Sequence, residues 1–145
     1  MREETRTKMI PDTKKVFIAE DGQEFTDEIA CQRYEMQLLR DQRSGDLLFC
    51  KEADGWCNCN GAENMDYHHY SWVFVRNDAD AELLNRMYDC EYDSFEEHIG
   101  EWVCIEQTDD DDFYLTSATQ GIKYATSLLE KLGYEVKITR KDEQK

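Results

Sequence analysis

The chain has 145 residues, with 33 acidic side chains against 17 basic ones and a formal charge of −16. Its length suits one domain with a real core, and 40% apolar and 12% aromatic residues exclude a disordered polymer. The charge argues against direct contact with nucleic-acid phosphates or an anionic membrane, and no apolar run reaches the ~18 residues of a transmembrane helix.

Residues 1–13 are polar and hold the single proline, Pro11, so they are expected to form a flexible N-terminal arm. They also lack the apolar stretch of a secretory signal, which points to a chain with reduced thiols. "KKVFIAEDGQEF" predicts a strand turning at Asp21-Gly22. Thr26 is placed to cap a helix over 27–42, with Ala30, Cys31, Tyr34 and Leu38 on one face, ended by Ser44-Gly45. "DLLFCKE" and "YSWVFVR" predict strands on either side of a long loop. Asn77 or Asp78 caps a second helix whose apolar face is Leu83, Leu84, Met87 and Tyr88.

"DSFEEHIG" has the capping-box spacing of a short helix, and "EWVCIEQ" follows as a strand. "TDDDDFYLT" is expected to be an acidic loop. Ser117 with Gln120 forms a capping box for a helix over 118–132, lined by Ile122, Ala125, Leu129 and Leu132 and ended by Gly133. "YEVKIT" alternates like a closing strand. The pattern therefore predicts a single α+β domain over 14–139. It is a mostly antiparallel sheet of about five strands with three to four helices packed on it, and a frayed tail over 140–145.

Two stretches carry candidate chemistry. "CKEADGWCNCNGAENMDYHHY", residues 50–70, brings Cys50, Cys57, Cys59, His68 and His69 into a Gly/Asn/Asp-rich segment. Three thiolates and one imidazole make a closed tetrahedral set, so a zinc held here would be structural. The spacing is not that of a C-x₂-C knuckle, and small buried cysteines beside amphipathic histidines explain the same residues. Both readings stand.

The second stretch is Asp109, Asp110, Asp111 and Asp112, followed by Phe113 and Tyr114. It lacks the glycine and distal glutamate of an EF-hand loop. It reads either as a solvated loop or as a surface that docks a basic protein partner, with the two aromatics as anchors. Cys90 and His98 have the residue types of a thiol nucleophile and its base, but no oxyanion or orienting element accompanies them. Cys31 and Cys104 lie on apolar faces and are expected in the core. No P-loop, GxGxxG, GxSxG or HExxH occurs, so the chain is expected to have no catalytic residues and not to be an enzyme.

"FIAEDGQEFTDEIACQRYE", "SWVFVRNDADAELLNRMY" and "EWVCIEQTDDDDFYLTSA", with "LLEKLGYEV" after them, resemble small accessory proteins of bacteriophages and mobile elements. Within that material the likeness is to the anti-CRISPR class. It implies a phage-type inhibitor that binds a bacterial CRISPR effector nuclease, of type II, and blocks nucleic-acid loading from within the host cytosol. It transfers no residue-level binding motif. The alternative is a phage protein that sequesters a small nucleotide signal of bacterial immunity.

Overall fold

The computed structural model describes residues 1–7, 13–57 and 68–141. Among these, the chain folds as a single small α+β domain with two antiparallel sheets and three α-helices. The first sheet is β1 (Arg2–Thr7), β2 (Thr13–Ile18) and β3 (Glu24–Phe25), in that order. The second runs β4 (Leu48–Phe49), β5 (His69–Phe74), β6 (Trp102–Gln107) and β7 (Phe113–Ser117). The helices are α1 (Glu28–Arg43), α2 (Asp78–Met87) and α3 (Ala118–Lys131). No helix among the described residues is long and apolar enough to cross a membrane.

The expected N-terminal arm is in part a strand. Arg2–Thr7 pairs along its whole length with β2, from Arg2 opposite Ile18 to Thr7 opposite Thr13. The β2–β3 reversal uses Gly22 at φ 93°, closed by bonds from Ala19 N to Gln23 O and from Gly22 N to Ala19 O, both 2.9 Å. Beneath this sheet Phe17, Ala19 and Cys31 form a small core, with Phe25 and Tyr34 packed on it at a ring separation of 5.2 Å. The Tyr34 hydroxyl donates to Asp21, tying the turn to α1. Asp27, one residue after the expected Thr26, caps α1 by accepting from Ile29 N at 3.1 Å.

The main core lies between the second sheet and α2. Strand alternation sends Val73, Val75, Val103, Ile105, Phe113 and Leu115 inward, where they meet Ala81, Leu83, Leu84 and Met87 of α2. Asn77 caps α2 by accepting from Asp80 N at 2.9 Å. Asp80 itself is buried and gripped by Arg76, with Nε–Oδ2 2.7 Å and Nη2–Oδ1 3.1 Å, which holds its carboxyl below the usual range. Phe95, fully buried, enters from a 3₁₀ turn over Phe95–His98 whose start is fixed by Phe95 N donating to Asn85 Oδ1 at 3.1 Å.

α1 connects the two cores. Cys31 and Tyr34 serve the small one and Leu39 packs on the large one. Ser117 caps α3 as the capping-box spacing requires, accepting from Gln120 N at 3.2 Å. No residue of α3 is buried, however, and residues 134–139, expected as the closing strand, pair with no strand among the described residues.

Candidate docking groove

The acidic stretch, expected as a loop over 108–116, is a tight hairpin turn whose second half, from Phe113, is strand β7. Asp111 N donates to Thr108 O at 3.1 Å, and Thr108 N donates to Asp112 O at 2.9 Å. A turn over Thr108–Asp111 thereby ends on a left-handed residue, Asp111 at φ 61°, in the geometry of a three-residue hairpin loop. Aspartate tolerates that conformation better than most side chains do. Gln107 Nε2 donates to Asp111 Oδ1 at 3.0 Å, which further holds the turn. All four aspartates are exposed.

Strand alternation separates the two aromatics that follow. Phe113 points into the core at 9% exposure, while Tyr114 faces out at 44%. Of the two expected apolar anchors, Phe113 is instead a core residue, and Tyr114 alone is exposed.

Asp111, Asp112 and Phe113 form one wall of a groove of about 610 Å³. The opposite wall is α1, through Ile29, Arg33, Met36 and Arg40, and Asp89 and Glu91 close one side. Arg40 is the post between the walls. Its Nη1 donates to Met87 O at 2.7 Å and its Nη2 to Gln37 Oε1 at 2.6 Å. Its guanidinium lies 5.2 Å from the Tyr88 ring centre and 5.5 Å from that of Phe113. Burial lowers its pKa from the usual value, yet a guanidinium stays charged. Sequence patterning did not single out Arg40. The available signal was an arginine adjoining Leu39 near the inner side of an amphipathic helix, where a long stem can be buried.

The cysteine/histidine set is placed differently from the zinc expectation. The β4–β5 register sets Leu48 opposite Phe74 and Phe49 opposite Val73, and Cys50 N then donates to Trp72 O at 2.9 Å. Cys50 is thus three residues, roughly 10 Å, along the strand from His69. His68 Nδ1 lies 2.5 Å from Glu106 Oε2, and His69 lines a neighbouring cavity of about 260 Å³ with Gln37, Asp41 and Tyr88. Cys57 follows Trp56, whose carbonyl accepts from Trp72 Nε1 at 2.9 Å. No three of Cys50, Cys57, His68 and His69 converge, and Cys59 lies outside the described residues. The convergence of Cys50 with a histidine at the loop's mouth is corrected by this register.

Among the described residues, the group that does bring three metal-capable side chains within 4.8 Å of one another is Asp93, Glu97 and His98. Both ring nitrogens of His98 already meet carboxylates, Nε2 with Asp93 Oδ2 at 3.0 Å and Nδ1 with Glu101 Oε2 at 3.2 Å. Burial disfavours the imidazolium, but the two carboxylates together outweigh it and raise the pKa above 6.5. Cys90 has its thiol pushed up to about 12, first by burial and then by Asp93 and Asp89. A thiol of that kind is protonated near neutral pH and is a poor nucleophile.

The His98 arrangement sets a pH dependence. Because the folded-state value lies above the unfolded one, the stabilisation is complete below pH 6.5 and is lost as pH rises through the folded value. His98→Gln should therefore lower Tm more at about pH 5.5 than at about pH 8.5. Thermal melts of both proteins across that range check this, and an equal loss at both ends would show that the ring is held neutral.

No protein-family model, curated protein or solved structure matches this chain.

Proposed function

We propose that this chain is a non-enzymatic inhibitor that binds a bacterial nucleic-acid-handling effector, a type II CRISPR nuclease, and lodges its acidic turn in the effector's basic channel. The observation that carries this reading is the β6–β7 turn. Four consecutive exposed aspartates are held on an ordered hairpin beside a groove that Asp89 and Glu91 also line. A fixed row of carboxylates matches a surface built for a phosphate backbone, and Tyr114 on the same hairpin offers an aromatic contact. The resemblance to anti-CRISPR proteins supplies the class of target. Sequestration of a nucleotide is the weaker reading. Asp89, Glu91, Asp111 and Asp112 would repel its phosphates, and the Arg40 guanidinium is already engaged by Met87 and Gln37.

The test is the association rate with a type II CRISPR effector over a series of salt concentrations. The wild type should associate more slowly as salt rises, because complementary fields steer the encounter. The variant with all four aspartates changed to Asn should associate about tenfold more slowly at low salt and lose most of the salt dependence. Asparagine tolerates the left-handed position at 111 and keeps an amide oxygen for Gln107, so the fold is retained. Equal, salt-independent rates for the two proteins would remove the turn from the mechanism. No binding at all would remove the target class.

A further inference from the structure

α3 has the pattern of a helix with a core to cover, but none of its residues is buried among the described residues. Ile122, Ala125, Leu128, Leu129 and Leu132 fall on one stripe at helical spacing, with Lys123, Ser127 and Glu130 elsewhere around the helix. The stripe is open: Ile122 is 43% exposed, Leu128 59% and Leu132 64%. The helix ends in a Schellman turn, with Gly133 at φ 97° and Tyr134 N donating to Leu129 O at 3.0 Å, which reverses the chain. Residues 134–138 then carry Tyr134, Val136 and Ile138 at strand spacing. Tyr134 and Ile138 are 64% and 55% exposed. At the far end the Arg140 guanidinium sits 5.0 Å from the Phe74 ring centre, so the returning segment reaches the second sheet.

We infer that α3 and the segment 134–138 after it form a self-association surface, covered by the same unit of a second copy across a two-fold axis. The segment Tyr134-Glu135-Val136-Lys137-Ile138 is its own antiparallel complement. With Val136 opposite the partner's Val136, each Glu135 stands opposite the partner's Lys137, and each Tyr134 stands opposite the partner's Ile138. Opposite charges directly across antiparallel strands are favourable, and apolar pairs share the other face. An isologous two-fold contact requires this kind of self-complementarity.

The charge distribution points the same way. Residues 118–141 carry Lys123, Lys131, Lys137, Arg140 and Lys141 against Glu130 and Glu135, on a chain whose net charge is −16. Two copies repel through most of their surface, and this unit is where they can approach. Six large apolar side chains of the unit, Ile122, Leu128, Leu129, Leu132, Tyr134 and Ile138, are between 38% and 64% exposed, a concentration that a second copy would cover.

Sedimentation equilibrium of the full chain over a wide dilution series tests this. The expected mass at the higher concentrations is twice 17.2 kDa. Leu128→Glu with Leu132→Glu should give a monomer with unchanged circular dichroism, since both side chains are exposed. Lys137→Glu should weaken the dimer at least tenfold by setting like charges opposite. Adding Glu135→Lys should restore it by setting opposite charges across the pair again, whereas Glu130→Lys, which restores the same net charge away from the pair, should not. A wild type that is monomeric throughout, or that gains mass only with another protein, overturns the inference. So does a dimer indifferent to the leucine changes, or a Lys137→Glu loss that Glu135→Lys does not repair.

Discussion

Phe95→Ala should destabilise the domain by about 3–5 kcal/mol, because it removes a large, fully buried ring from the centre of the main core. Phe95 has no solvent exposure, its ring centre lies 6.2 Å from that of Tyr88, and its backbone N–H is fixed by Asn85. The 3₁₀ turn that carries it is tied at both ends, so the surroundings cannot collapse into the space left behind. Urea unfolding with a fixed slope measures the loss, and Tm should fall by on the order of 10 °C. Phe95→Leu should recover more than half of the difference, because it refills most of the volume. A loss below about 1 kcal/mol for Phe95→Ala would mean that the turn repacks.

Arg40→Met should cost about 2–3 kcal/mol. It keeps most of the buried stem but removes a charge-assisted hydrogen bond to Met87 O and the cation–π contacts with Tyr88 and Phe113. Arg40→Lys should regain only part of this, since an ammonium cannot reproduce the fork that meets Met87 O and Gln37 Oε1 together. The same substitutions should alter the groove, because Arg40 stands between its walls. Chemical denaturation of the three proteins gives the ranking, and a Lys variant equal to wild type would show that a point charge suffices at this position.

The helices and their caps were largely legible in the sequence, because capping is local. Asn77 and Ser117 cap α2 and α3 as their spacing requires, and the inner face of α2 follows its apolar periodicity. Strands were legible where one face is apolar. β5 and β6 announce themselves this way, whereas β1, "REETRT", has no apolar alternation and owes its form to pairing with β2. β7 was hidden by the aspartates before it, although Phe113 and Leu115 alternate with Tyr114. The reverse happened at 134–139, where alternation is clear but no pairing occurs among the described residues.

In the candidate site, the aspartates could be read directly because a run of charges is visible in one dimension. The groove could not, since Arg40, Asp89 and Asp111 meet only through the packing of α1 against the main core. The ligand set proposed for the cysteine/histidine loop depended on a register that no local pattern specifies: β4 pairs so as to put Cys50 beside Trp72.

The bridging position of α1 also bears on how the protein is made. The small core is assembled from residues 17–34, a nearly contiguous stretch, so its contacts close only short loops. Its contacts are therefore the first that synthesis makes available, before the segments of the large core have left the ribosome. Once formed, it holds α1 with Leu39 and Arg40 already in place on a helix. The large core, which draws on segments from Leu47 to Leu115, can then condense on a surface that is waiting for it. The N-terminal sheet is, in this sense, a template set down first.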